Sequence, residues 1–568
     1  MTLRLPLSLG LLAPLLAAQE PADPMKWIPR RAGMVIVLNR PAKALARWDA
    51  LGERLKSKEL ALVRQALTQD FGGLPLLDPD APLVEFTVPA PEGRTQAAPK
   101  GEAPPAKPKD PEFRILAFQK KEAFQARFKP ADMAKAATDV TTVTVGGKPM
   151  VAAVRGRIAI LGPKESGAVL RALLADKGRF AMPPEAEAAW AQGQDVAFLF
   201  SVQALKDRRP AQPAKASAAP PVWSPLAKLS ESMKAHPERE LASMVMGLRL
   251  SDGGDLTGSV RLGIAPGGEL AALTAGMDKG GGPAFRGLPA GPFALAFGME
   301  FPPAWADTMA LAVAEEAKKD PKADAVAVSS MQGLFRELRG IGLVLRGAKE
   351  GAPLASGLGL ALSVEDARSF MGQAATLAER PGKEGRPGLR TATARFQGRA
   401  VTTFTRVPPP TKDGAPGEEG PSMMPPPEAL FGSKEVKTSL LMADDHTIIA
   451  GFGDPAATFQ AGLDSLGKGG LGQMARLQRT RDLLGAGGKV GQGVLYLSLP
   501  ETLQMIGTFL PLPVSEEDLK RPVPPLGLSL NITSSRIEVN LALPSEALAL
   551  LGRLAGAAAE MRKPPKEQ

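Results

Sequence analysis

Along most of this chain, short runs of alternating apolar and polar residues are followed by segments in which apolar residues recur every three or four positions. The first period marks strands and the second helices. Residues 34–38 (MVIVL) predict an apolar strand, and the RPAKALARWDALGERL that follows has helical spacing, with Pro41 near its start. The same reading gives a strand over 113–118 with a helix in KKEAFQARF. It also gives a strand over 157–161, ended by Gly162-Pro163, and a helix over 165–174. Towards the C-terminus, GLSLNITSSRIEVNLALPSEALALL (527–551) reads as strand, polar turn, strand and a helix with Ser545 and Glu546 at its start. Within it Ile537, Val539 and Leu541 alternate with Arg536, Glu538 and Asn540, which predicts a buried apolar face and a wet polar one. Hairpins such as 342–362 are frequent, and strands outnumber simple strand–helix–strand units. The expected fold class is α+β, with mostly antiparallel sheets and helices packed on one face.

The pattern repeats. GLRLSDGGDLTGSVRLGIAPGGELAAL (247–273) has the layout of 527–551, and 193–205 parallels 491–503. Likewise 154–174 parallels 443–463, and 32–45 parallels 290–305. Two tandem homologous halves are expected, 19–282 and 283–563, with a tail at 564–568. Proline-rich stretches without periodic apolar residues, about 89–111 and 206–225 in the first half and about 407–427 in the second, read as loops inserted between shared elements.

Residues 1–18 read as a signal peptide: a basic start, an apolar run over 5–16 and small residues before Gln19. The apolar run is short for a membrane span and is interrupted by Pro6, Gly10 and Pro14. No later run is long and uncharged, so no transmembrane segment is expected in the mature chain. The expected address is periplasmic or extracellular. There is no cysteine, which excludes disulfides, thiolate nucleophiles and cysteine metal sites. The formal charge is +10, but the basic residues are dispersed, and aromatics make up 5% with a single tyrosine. That argues against nucleic-acid binding, which uses aromatic stacking platforms. It leaves weak attraction to an anionic envelope polymer or membrane surface. Scarce aromatics and numerous helices also argue against an outer-membrane barrel.

The candidate chemistry is thin. His446 lies beside Asp444 and Asp445 and could ligate a metal or act as a base, yet its setting between two strands reads as a polar turn. His236 precedes Pro237 in a solvated helix end. GKGGLG (467–472) and GLDSLGKG (462–469) resemble phosphate-binding loops, but a helix rather than a strand precedes them, and Gly469 stands where a hydroxyl is required. Ser465-Leu466-Gly467-Lys468 has the spacing of a serine–lysine pair but breaks at Gly467. The carboxylate pairs Asp78/Asp80, Glu315/Glu316 and Glu516/Glu517 read as solvated surface. Asn531-Ile532-Thr533 has the form of a glycosylation sequon and reads as strand-end and turn chemistry. The helix over 545–561 reads as a packing helix, with membrane-surface contact as its alternative. No catalytic, cofactor-binding or metal residue is assigned, and none of these chemistries is expected.

An opening proline, apolar strand and amphipathic helix (IPRRAGMVIVLNRPAKALARWDALGERL), followed by units such as VRGRIAILGPKESGAVLRAL, resembles a broad group of uncharacterised exported bacterial proteins with a domain of unknown function. The resemblance implies an address and no mechanism. The expected function is that of a non-enzymatic envelope scaffold binding a protein or envelope polymer. The alternatives are a carrier of a lipid or other apolar ligand and a hydrolase with a carboxylate site assembled by folding.

Overall fold

A computed structural model describes residues 23–55, 77–88, 110–119, 139–145, 147–176, 178–202, 231–233, 235–277, 285–318, 324–347, 357–379, 388–407, 435–468, 470–485, 492–507 and 515–561. The leader, the proline-rich stretches and the helix expected in KKEAFQARF lie wholly or almost wholly outside them. The chain forms two compact units.

The first unit draws on 1–46, 62–182 and 192–204. Its strands are β1 (Met34–Leu38), β2 (Leu83–Thr87), β3 (Glu112–Ala117), β4 (Thr141–Val145), β5 (Lys148–Arg155), β6 (Ile158–Pro163) and β7 (Val196–Phe200). They pair antiparallel in the order β7-β1-β2-β3-β6-β5-β4. Helix α1 (Pro41–Leu55) follows β1, and α2 (Gly167–Ala175) follows β6. Leu38, Ala44, Leu45, Leu116 and Leu161 pack in its core. The β5–β6 hairpin turns at Gly156, whose φ of 58° is a left-handed conformation that glycine adopts without Cβ strain.

The second unit draws on 47–61, 183–191 and 205–568. After α3 (Glu185–Gln192) come β8 (Leu241–Leu250), β9 (Leu256–Ile264), α4 (Glu269–Thr274), β10 (Leu295–Glu300), α5 (Pro303–Lys318) and α6 (Ala325–Glu337). Next are β11 (Leu338–Leu345), β12 (Leu358–Val364), α7 (Ala367–Ala378), β13 (Gly388–Phe396), β14 (Arg399–Val407), β15 (Lys437–Asp444) and β16 (Thr447–Phe452). The chain continues through α8 (Ala456–Lys468), α9 (Gln478–Leu484), β17 (Gly493–Leu497), α10 (Leu499–Gly507), β18 (Leu526–Ile532), β19 (Arg536–Leu543) and α11 (Ser545–Met561). The described strands form an antiparallel sheet in the order β8-β9-β19-β18-β17-β10-β11-β12-β16-β15-β14-β13. An α+β fold with a large antiparallel sheet is thus what the alternation encodes.

Helices cover both faces of this sheet, not the single face expected. On one face, Phe459 of α8 packs on Val401, Leu441 and Ile449, while Leu477 and Leu484 lie with Val494, Tyr496 and Ala542. On the other, Leu334 of α6 and Phe370 of α7 pack with Leu362, Leu440 and Ile448. The physical reason lies in β15 and β16, where Leu440, Met442 and Ile448 face one side and Leu441 and Ile449 the other, so both of their faces are apolar and take cover.

Glu240 is a buried carboxylate in this unit, 1% exposed. It accepts the N–H groups of Leu270 (2.7 Å) and Glu269 (3.3 Å), at the start of α4, and the hydroxyl of Ser232. Burial alone would raise its pKa, but these hydrogen bonds outweigh burial and hold it below the usual carboxylate range. The carboxylate thereby satisfies N–H groups that the start of the helix cannot pair internally.

Candidate functional site: an open apolar sheet face

Register places large apolar residues side by side across eight strands. Met246 of β8 pairs with Val260 of β9, which pairs with Val539 of β19, which pairs with Leu530 of β18. The row continues through Gly493, Met299, Ile341 and Leu362 on β17, β10, β11 and β12. The next row begins Leu248, Gly258, Leu541, Leu528 and ends Leu495, Phe297, Leu343, Leu360. Every position in both rows is apolar or glycine. At the usual strand spacing of about 4.8 Å, eight strands span about 34 Å.

These rows are not sealed. Apart from Gly493, each residue in them is at least partly exposed, and Leu528 and Leu541 reach 40% and 37%. Their sequence neighbours on the opposite face are closed off: Tyr496, Ala542 and Ala296 are 0% exposed, and Ser529 is 2%. The alternation of β19 is therefore read the right way round for side chains and the wrong way round for water. The polar partner Glu538 is covered, its side chain 12% exposed in a 3.0 Å ion pair with Arg261. The Trp190 ring of α3 lies over that guanidinium at 4.3 Å from its centroid. Leu541, expected in the core, meets solvent.

Helices border the open face. Leu250, Leu256 and Leu543 extend it at one end, where Trp48, Leu51 and Leu55 of α1 and Leu548 of α11 pack on them. Arg47 holds Asp252 at 2.7 Å, and Arg54 donates to the Gly253 carbonyl at 2.8 Å, which fastens α1 to the β8–β9 turn. Leu497 and Leu526 are covered by Leu503 of α10 and Leu550 of α11. Beyond Leu362, α6 and α7 cover the sheet. What remains open is an aliphatic floor with Phe297 as its aromatic residue.

The motifs singled out in the sequence are not on this face. His446 occupies the β15–β16 turn, its Nδ1 2.7 Å from the Glu365 carbonyl oxygen and its N–H donating to Asp444 at 2.9 Å. Asp444 in turn pairs with Arg286 at 2.8 Å. His236 precedes the short turn Pro237–Glu240, 3.5 Å from the Glu238 carboxylate. Helix α8 runs through Gly467 to Lys468, so a helix and not a strand leads into this motif, and the Ser465 hydroxyl donates to the Gly462 carbonyl at 2.7 Å, inside that helix. Of the carboxylate pairs, Glu315, Glu516 and Glu517 form local ion pairs with Lys318, Lys520 and Arg521, and Asp78 lies 3.5 Å from Arg157. Thr533 of the sequon closes the β18–β19 turn, its N–H donating to the Arg536 carbonyl at 2.8 Å. Among the described residues no group of three His, Asp or Glu side chains is placed to hold a metal, and no helix is long and apolar enough to cross a membrane.

No signal in the sequence distinguishes an open apolar face from a covered one, since both require the same side chains. The geometry defines an α+β protein with a partly exposed aliphatic sheet face. No protein-family model, curated protein or solved structure matches the chain.

Proposed function

We propose that this is an exported, non-enzymatic binding protein that carries an apolar, chain-like ligand such as a lipid acyl chain on its open sheet face. The single observation behind this is the pair of uninterrupted apolar rows across eight strands, partly exposed along their length. A contiguous exposed apolar surface marks a binding site in a folded protein. The residue types favour an acyl chain over a protein partner. Protein interfaces concentrate Trp, Tyr and Arg at their hot spots, whereas these rows hold Leu, Ile, Val, Met, Gly and one Phe. Their span of about 34 Å exceeds the full hydrocarbon thickness of a bilayer, about 30 Å, so a single extended acyl chain fits along it.

The same reading includes an internal duplication. In the first unit β1, β2 and β3 lie side by side, β3 next pairs with β6, and β7 returns to the free side of β1. In the second, β10, β11 and β12 lie side by side, β12 next pairs with β16, and β17 returns to β10. The closing hairpins of the two copies, β8–β9 and β18–β19, then pair through β9 and β19, the second and third of the eight strands under the open face.

Native mass spectrometry of the full chain, purified gently from its own envelope fraction, tests the function. The expected result is an added mass that organic extraction releases as an acyl lipid. A protein that carries no extractable apolar compound, and takes up none from mixed lipid vesicles, overturns the proposal.

A further inference from the structure

A separate surface lies at the far edge of the second unit's sheet. Among the described residues β13 pairs with β14 alone, and it does so through all nine positions from Gly388 to Phe396 without a bulge. An edge strand of this kind presents unpaired N–H and C=O groups, which proteins ordinarily blunt with proline, a bulge or cover. Here residues 389, 390 and 392–395 are exposed, so both faces of the strand and its outer edge are accessible. Gln397 and Gly398, with φ of 49° and 77°, form the tight turn into β14.

The hairpin 388–407 contains Arg390, Arg395, Arg399 and Arg406 and no acidic residue. All four arginines are exposed, and none has an ion-pair partner among the described residues. Arg390 and Arg395 lie on opposite faces of β13, at even and odd positions, so they straddle the edge. A second copy of this hairpin would bring four more arginines and no acidic residue to the same edge, an arrangement that repels. An acidic strand on the same edge would meet a cation above and below it. Arginines split between two faces do not share one plane towards a membrane surface, which favours a strand over a bilayer as the occupant.

We infer that β13 is a docking edge for an extended, acidic segment of another protein, which adds as the next strand of the sheet. Main-chain hydrogen bonds supply the pairing and the two arginines select the charge. This inference stands apart from the apolar face and does not depend on it.

The test uses the full chain and three capped ten-residue peptides: one repeating Glu-Glu-Thr-Thr, which sets carboxylates on both faces of a strand, one repeating Lys-Lys-Thr-Thr, and the Glu peptide N-methylated at every amide. The unmodified Glu peptide is expected to bind and to protect amides within 389–395 from hydrogen exchange, while the other two do not bind. Reversing both charges (Arg390→Glu with Arg395→Glu) weakens binding at least about tenfold, with far-UV spectra and melting temperature unchanged because both side chains are exposed. The inference is overturned if the N-methylated peptide binds as well as its parent, if protection falls outside β13, or if the charge reversal leaves binding unchanged. It is equally overturned if anionic phosphatidylglycerol vesicles bind through these arginines while the Glu peptide does not.

Discussion

Ile36 in β1 and Phe297 in β10 sit in comparable places, each on an inner strand, each partly exposed and each flanked by strands on both sides. Opposite Ile36 stands Glu85, and opposite Glu85 stands Arg114, which holds it in a 2.7 Å ion pair. Thr87 and Glu112 follow in the next row. Opposite Phe297 stand Leu343 and Leu495, and beyond them Leu360 and Leu528. On β2 and β3 the first unit thus furnishes its partly open face with groups that water or an ion pair satisfies, while on β1 and β7 the same face keeps Met34, Ile36, Phe198 and Phe200. The second furnishes the equivalent surface with hydrocarbon. Keeping so much apolar surface near water forgoes about 25 cal/mol for each Å² left uncovered. That difference is the ground on which we propose the second unit's face as the binding surface.

Five single substitutions and one double change probe the contrast, grouped in order of the largest effect on stability expected in each group. Tyr496→Ala and Leu495→Ala differ by one position in β17 and by which face they touch. Tyr496 lies in a sealed cluster with Phe285 and Leu477, and its truncation should cost about 3–5 kcal/mol. Leu495→Ala should cost about 1 kcal/mol, because a partly exposed side chain has less burial to lose. Chemical denaturation resolves the pair, and equal costs would mean that the open face is packed as a core.

Glu240→Gln asks whether a buried charge is retained where its hydrogen bonds are complete, and it should cost about 1–2 kcal/mol at neutral pH. The folded-state pKa of Glu240 is lowered, so the unfolded chain takes up the proton first as pH falls. The wild-type advantage is therefore present above the unfolded value, about 4.3, and is lost as pH falls through the folded value. Melting curves of the two proteins should converge in acid and separate towards neutrality. Divergence in acid would contradict the assigned role.

Glu85→Leu should cost about 1 kcal/mol, and the double change with Arg114→Leu should recover most of it, since the single change takes this ion pair from a partly buried cation while the double removes the cation too. The double variant also paints the first unit's face with hydrocarbon, so any gain in apolar-dye binding would sharpen the comparison directly. Leu528→Glu should change stability least, by about 0.5 kcal/mol, because the residue is already 40% exposed. Its effect belongs to ligand binding.

Much of the fold is legible in the sequence because alternation and turn chemistry are local. The strands at 34–38 and 113–118 and the hairpin of 527–551 emerge from period two, and Pro41 marks the start of α1. The face that water reaches is not local. Leu541 and Glu538 alternate as a buried face and a wet face would, yet Arg261 and Trp190, far away in sequence, cover the glutamate and leave the leucine uncovered. The helices on both faces escape the alternation argument for the same reason: FALAFGM and GVLYLSL show that two faces need apolar side chains, without showing what lies over them. The β9–β19 pairing joins residues nearly 280 positions apart, as the Arg261–Glu538 separation of 277 records, and no short-range pattern announces it.

The most direct test is a titration of a fluorescent fatty acid into the full-length protein and into a Leu528→Glu, Leu541→Glu double variant, with folding checked by thermal melting. The account predicts saturable binding to the wild type and its loss in a variant that melts within a few degrees of it. Binding of equal strength and stoichiometry in both proteins, or none in the wild type, would contradict the claim that the open sheet face is the site.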